Sequence, residues 1–225
     1  SELEEAIERV IAGPERRSRL ISQEEKRIVA YHEAGHAIVG HVLPNTDPVH
    51  KITIVARGMA GGYTMALPQD DRTLISRGKI LDELAFTLGG RAAEELIFND
   101  ITSGASNDLE RVTKMARSMV TRMGMSDELG PMVYGQKEEL IFLGREISEQ
   151  RDYSESVAEQ IDKEVRRLIS EAYTRAKDVL TQHKDMLNAV AQRLMEVETL
   201  SREEFEAIFP PPVQKNSGTP VPLAG

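Results

Sequence analysis

The sequence predicts a mainly α-helical domain with one small β-sheet or hairpin, and three observations carry that prediction. Apolar residues recur at helical spacing over long segments, most clearly at Val157, Ile161, Val165, Leu168, Ala172, Ala176 and Val179. Only KITIVA at 51–56 and GGYTMAL at 61–67 have the β-branched and aromatic content of strands. Helix-start signatures recur, with Ser22 ahead of Glu25 and Ser201 ahead of Glu204. At 225 residues the chain is long enough to bury a sizeable core.

The elements follow in order. LEEAIERVI at 3–11 has helical periodicity, and Gly13-Pro14 breaks it. Ser22 opens a helix over 23–43, stopped by Leu43-Pro44-Asn45. The two strands come next, separated by Arg57-Gly58-Met59-Ala60. Residues 73–98 read as helix, with a hesitation at Gly89-Gly90. ITSGAS at 101–106 is a loop, and helix resumes from Asn107 to Met123. GMSDELGPMVYG at 124–135 reads as irregular. Long helices are expected at 156–180 and 185–197. Ser201 and Glu204 then form a second capping box, with Leu200 placed to staple onto Phe205. Pro210-Pro211-Pro212 ends the pattern, and the tail beyond has a disorder-like composition.

Composition narrows the function. A net charge of −9 disfavours a nucleic-acid surface, which needs clustered Lys and Arg against phosphate. With no cysteine, disulfides and thiolate metal sites are excluded, so any metal must take His and carboxylate. No apolar run approaches the 18 residues of a membrane span. The opening Ser1-Glu2-Leu3 in place of Met reads as the start of an excised or processed piece.

HEAGH at 32–36 is the densest chemical signal. On a helix, His32 and His36 lie one above the other and can reach one metal ion. Glu33 is rotated by about 100° from His32. It is placed to act on a water at the open side of the metal, the arrangement of His-Glu-x-x-His metallopeptidases. Both histidines interrupt the apolar stripe Ile28, Val39, Leu43, where a neutral imidazole needs a partner. The plainer reading is a pair of core histidines bonded to backbone.

A catalytic zinc takes three protein ligands. His41 points off the ligand face, and the HExxHxxGxxH pattern is absent. A distant carboxylate is therefore expected, and Glu94, Glu95 and Asp108 are the candidates. Each has an ordinary alternative. Asp108 suits a helix N-terminus, and the two glutamates suit a solvated helix face. Tyr63 and Tyr134 are candidate oxyanion donors. The Met115, Met119, Met123 stripe reads as core or interface, and His183 as a surface residue.

Four motifs in order, HEAGHA (32–37), GGRAAEEL (89–96), TSGASNDLERVT (102–113) and MGMSDELGPM (123–132), resemble the peptidase domain of the FtsH family of membrane-anchored, ATP-dependent zinc proteases. The likeness covers 1–208, and LEEAIERVIAGPERRS resembles the end of that family's AAA+ module. It implies a lid remnant at 1–13, a linker at 14–22, a helical zinc-peptidase domain at 23–209 and a disordered tail at 210–225. It implies one zinc per chain on His32, His36 and Asp108, with Glu33 as general base and Glu94 hydrogen-bonded to a ligating histidine. It implies a homo-hexamer degrading unfolded soluble and membrane proteins, anchored in the membrane with this domain on the cytoplasmic side. The chain lacks a G-x-x-x-x-G-K-[ST] loop and a membrane span, so ATP with Mg2+ and membrane contact are expected only of the full-length protein, and the fragment itself is expected to be soluble.

An extended substrate is expected to pair with the edge of GGYTMAL, with Gly61 and Gly62 admitting a second backbone beside Tyr63 and Thr64. A plain hairpin would explain the same glycines. Two other functions fit the residues. One is a non-catalytic helical assembly module with a structural zinc. The other is a zinc hydrolase of small peptides.

Overall fold

Helix α1, Gln23–Val42, is the hub of the computed structural model, which describes residues 22–56, 61–68, 74–135 and 153–211. The Ser22 side chain accepts from the Glu25 N–H at its start, and Leu43, extended ahead of Pro44, ends it. Every residue from Ala30 to His41 is buried, so the helix is covered on all sides. Strands β1, Val49–Thr53, and β2, Tyr63–Ala66, follow as an antiparallel pair with Ile52 opposite Thr64. Helix α2, Arg77–Phe98, runs unbroken through Gly89-Gly90. A 3-10 turn at Ser103–Ala105 leads into α3, Ser106–Thr121. Helices α4, Glu155–Gln182, and α5, Lys184–Val197, come next. Strand β3, Thr199–Ser201, and helix α6, Arg202–Ile208, complete the described chain.

The mainly helical class is as expected, and the sheet is larger by one strand. Its order is β2-β1-β3, so β2 is an edge strand. Sequence reading passes over β3 because three residues carry no periodicity. Glu198 turns the chain with φ of 63°, and Leu200 then pairs with Ile52 in the core. The capping box of Ser201 and Glu204 is present, and Leu200 and Phe205 are both fully buried.

Helix α2 begins later than position 73. Leu74 to Ser76 lie outside the helix, Ser76 is extended, and its side chain caps the Lys79 N–H. Its two central glycines mark a crossing with α1 and not a break. A Cβ on Gly35 would sit 2.4 Å from the Gly89 carbonyl oxygen, and one on Gly89 would sit 2.8 Å from the Gly35 oxygen. The backbones touch there, and tertiary packing outweighs the roughly 1 kcal/mol that each mid-helix glycine costs. The core around this crossing joins Ile38 and Ala34 of α1 to Leu84 and Leu88 of α2, with Leu168 and Leu187 from the later helices. Full burial of each such side chain contributes about 1.5–3 kcal/mol.

The expected helix at 3–11, the break at Gly13-Pro14, most of the linker and the tail beyond Pro211 lie outside the described residues. Met119 of the methionine stripe is fully buried, Met115 packs against the core, and Met123 is exposed. His183 is not a free surface residue. It joins α4 to α5, half buried, with its ring 5.1 Å from that of Phe209. His41 stacks edge-on against Phe205 at 4.9 Å, away from the other two helix histidines.

Candidate metal centre

The site forms where α1 crosses α2 and the N-terminus of α3 meets both. The one-turn spacing brings the Nε2 atoms of His32 and His36 to 3.1 Å of each other. Asp108, in the first turn of α3, places Oδ2 at 3.2 Å from the first and 3.3 Å from the second. Three groups from two distant segments therefore converge on one point.

The far side of each ring fixes what that point can accept. His36 Nδ1 lies 2.9 Å from the Phe86 carbonyl oxygen, which can only accept, so Nδ1 carries a hydrogen. His32 Nδ1 lies 2.6 Å from Glu94 Oε1, so in a neutral ring it donates as well. With both Nδ1 atoms protonated, both Nε2 atoms present lone pairs to each other and to a carboxylate oxygen. Three acceptors at such separations need a cation or a proton between them. Tetrahedral zinc with ligands at about 2.0–2.1 Å has ligand–ligand edges of about 3.3 Å. The observed edges of 3.1, 3.2 and 3.3 Å fit that ion.

A second ring of contacts holds the ligands. Glu94 Oε2 accepts the Thr102 N–H at 2.7 Å, which ties His32 to the loop that delivers Asp108. Asn99 ends α2 in the left-handed conformation, at φ of 51°, and starts that loop. Gly90 leaves room for the His32 ring, since a Cβ there would lie 2.4 Å from Nε2. Glu33 is buried beside the pair, and its Oε2 accepts from Thr64 Oγ1 at 2.8 Å. A Cβ on Gly62 would meet the Thr53 carbonyl oxygen at 2.6 Å and Glu33 Cγ at 3.0 Å, so β2 lies against α1 only because that residue is glycine.

Electrostatics follow the same contacts. Burial alone would lower the His32 pKa, but hydrogen bonds to Asp108 and Glu94 and the charge of Glu33 outweigh it, and without metal the imidazole is pushed up to about 10. Burial works against an ionised Asp108, yet its bonds to His32 and His36 hold it well below the usual carboxylate range. Burial likewise opposes Glu94, while His32 and the Thr102 N–H keep it low. Burial pushes Glu33 above the usual range, partly offset by the two histidines and Thr64.

Of the carboxylates open at the sequence level, Asp108 reaches both Nε2 atoms and Glu94 reaches the back of His32. Glu95 turns away to Tyr173 and to Lys177 at 2.8 Å. Gly61, Gly62, Tyr63 and Thr64 lie on or just before the edge strand β2, with Thr64 turned onto Glu33. Tyr134 donates to the Leu129 carbonyl and makes no described contact with the three converging groups. Sequence reading missed the Phe86 carbonyl, the Thr102 N–H, the Gly90 cradle and the Thr64–Glu33 bond. The one legible signal among them is the paired glycine in mid-helix.

Comparison with known proteins gives the family. The profile described as peptidase family M41 matches residues 19–208. The chain is 57% identical over 222 residues to the ATP-dependent zinc metalloprotease FtsH 1 of Sphaerobacter thermophilus, covering 98% of this chain and 34% of that protein. It is 56% identical over 209 residues to FtsH 1 of a Thermoanaerobacter species, covering 93% and 34% respectively. The FtsH zinc metalloprotease of Thermotoga maritima is 52% identical over 209 residues, covering 92% and 34%. The chain thus spans about a third of the length of the curated relatives it matches.

Proposed function

Because this chain belongs to peptidase family M41, we propose that it is the peptidase part of an ATP-dependent zinc endopeptidase, with residues 23–209 forming the catalytic unit. The observation that carries the reading is the convergence of His32 Nε2, His36 Nε2 and Asp108 Oδ2 beside the buried Glu33 carboxylate. These three residues would hold one zinc. The ion, when bound, supplies Lewis acidity towards a water and the scissile carbonyl.

The chain's own residues do the rest. Glu33 Oε2 is engaged by Thr64, which leaves Oε1 to take the proton of the attacking water. Glu33 then returns that proton to the leaving amine. Burial raises its pKa, which strengthens it as a proton acceptor. Glu94 fixes the His32 ring through Nδ1, and the Phe86 carbonyl fixes His36. The side chain of Asp108 keeps a quarter of its surface open, and a closed structural site would hide it.

The substrate is proposed to run as an extended strand along β2, at Gly61 to Thr64, on the side away from β1, which gives backbone-directed and sequence-tolerant recognition. In the full-length protein the reading extends further. ATP and Mg2+ act in an AAA+ ring outside these residues, the assembly is a homo-hexamer, and the substrates are unfolded soluble and membrane proteins. Membrane anchoring with this domain on the cytoplasmic side belongs to the same proposal. No helix among the described residues is long and apolar enough to cross a membrane.

The test is Glu33→Gln. It is expected to keep one zinc per chain and to lose cleavage of an unfolded protein such as reduced casein by about 10²-fold or more. Turnover within a few fold of the parent would remove Glu33 from the role of base.

A further inference from the structure

The Glu33 carboxylate is buried, and an ionised carboxylate only accepts, so its orientation depends on the donors around it. Among the described residues one hydrogen bond reaches it, from Thr64 Oγ1 to Oε2 at 2.8 Å. His32 and His36 act on it through charge, which attracts the group without fixing its rotation. The Thr64 hydroxyl also lies 3.0 Å from the Glu33 main-chain oxygen. A hydroxyl has one hydrogen to give. That carbonyl sits inside α1, where the N–H four residues on is its partner. The carboxylate has no such alternative, so the hydrogen belongs to Oε2.

The sheet decides where the hydroxyl points. Thr64 stands opposite Ile52 in the ladder of β1 and β2, and directly opposed residues share a face. Ile52 is fully buried, so the Thr64 side chain is on the core side of the sheet. Gly62, two residues earlier, has the same facing, and a Cβ there would lie 3.0 Å from both Glu33 Cγ and Val29 Cγ1 of α1. Threonine is β-branched and stiff at χ1, which keeps Oγ1 in place. A strand added to β2 pairs through backbone groups in the plane of the sheet, at right angles to this side chain. The strand proposed to carry the substrate thus also carries the anchor of the base, and the two tasks use different atoms.

We propose that Thr64 is a positioning residue for the reaction: its hydroxyl holds Glu33 by Oε2, aims Oε1 at the water, and acts on kcat without helping to hold the substrate. The inference rests on the endopeptidase reading above with Glu33 as base. It replaces the expected substrate contact of the Thr64 side chain with support of that base. Valine has the shape of threonine and no donor, so Thr64→Val removes the bond alone. A carboxylate released from it turns about its side-chain torsions, and a misplacement of about 1 Å costs on the order of 10²-fold in rate.

The test compares Thr64→Val and Thr64→Ser with the parent and with Glu33→Gln, zinc content being measured in each. With one fluorogenic peptide, Thr64→Val is expected to lose about 10–100-fold in kcat at a KM within about twofold of the parent, and Thr64→Ser to recover most of the loss. A second readout needs neither metal nor turnover. In the metal-free chain with carboxyl-labelled glutamate, the Glu33 carbon signal, assigned by its loss in Glu33→Gln, is expected to move in Thr64→Val and to stay near the parent position in Thr64→Ser. An unmoved signal in Thr64→Val would overturn the proposal by removing the contact. A kcat of Thr64→Val within about threefold of the parent, with Glu33→Gln inactive, would overturn it and leave the base reading standing. A raised KM at unchanged kcat would make Thr64 a substrate contact, and zinc lost from Thr64→Val would make it a support of the metal; either overturns it. Turnover by Glu33→Gln close to that of the parent, or no cleavage by the parent, would bring down the reading beneath and the proposal with it.

Discussion

Replacing Gly90 by alanine sets two physical effects against each other. Alanine in a helix interior is favoured over glycine by about 0.8–1.0 kcal/mol, so propensity alone predicts a more stable chain. The packing says otherwise. A Cβ at position 90 would lie 2.4 Å from His32 Nε2 and 2.5 Å from both Cδ2 and Cε1. That is about 1 Å inside ordinary carbon contact. The obstacle is the tip of a side chain, so the ring can swing aside at modest cost to the fold. It cannot do so and keep both the 2.6 Å bond to Glu94 and its place in the ligand triangle. Disturbing an outer partner of a zinc ligand typically costs about 10–100-fold in affinity, and moving the ligand itself costs more. Gly90→Ala is therefore expected to fold with a stability within about 1 kcal/mol of the parent, as propensity gain and overpacking offset each other. Its zinc affinity should fall by on the order of 100-fold or more.

Gly89→Ala is the control, because its obstacle is backbone. The new Cβ would meet the Gly35 carbonyl oxygen at 2.8 Å and the His36 Cα at 3.0 Å, neither of which can rotate away. Overpacking of about 1–3 kcal/mol should exceed the propensity gain and lower the metal-free stability. The assays are denaturant unfolding of the metal-free chains and a zinc titration against a chromophoric chelator. Zinc affinity of Gly90→Ala within twofold of the parent would refute the reasoning, since it would mean that the His32 ring does not need the space.

Three further outcomes are expected. Asp108→Ala should lose zinc at equimolar metal by elemental analysis, whereas Glu94→Ala should keep it with about 10–100-fold weaker affinity; equal losses would contradict the separation of ligand from supporting carboxylate. The metal-free chain should lose stability as pH rises. The folded His32 pKa is raised from 6.5 to about 10, so its contribution is complete below about 6.5 and lost through about 10, and a melting temperature flat over that window would contradict the assignment. In the same window zinc must displace the proton on His32, so affinity should climb by about tenfold per pH unit. Asp82→Ala should destabilise the fold by about 2–4 kcal/mol in denaturant and leave zinc binding intact. Asp82 is buried, accepts the Asn45 N–H at 3.0 Å and pairs with Arg175 at 2.5 Å, and touches none of the metal groups.

What could be read from the sequence divides along the range of the interactions. The extents of the described helices were legible to within a few residues because periodicity and caps are local, as at Ser22 and Ser201. The His32–His36 pair was legible for the same reason, since one helical turn fixes it without any tertiary information. Gly89-Gly90 misled because propensity is also local. Glycine weakens an isolated helix, and only the contact with Gly35 on another helix shows what the pair is for. The third converging group lies 76 residues from His32, and no local rule ranks Asp108 above Glu94 or Glu95. Adjacent residues on a helix point about 100° apart. That rotation sends Glu94 to His32 and Glu95 to Tyr173 and Lys177. Which glutamate faces the histidines depends on the rotational phase of α2 against α1, and that phase is set by the glycine crossing. The same two glycines that look like a defect along the chain thus decide which carboxylate meets the imidazole, a consequence that packing carries and a one-dimensional pattern does not.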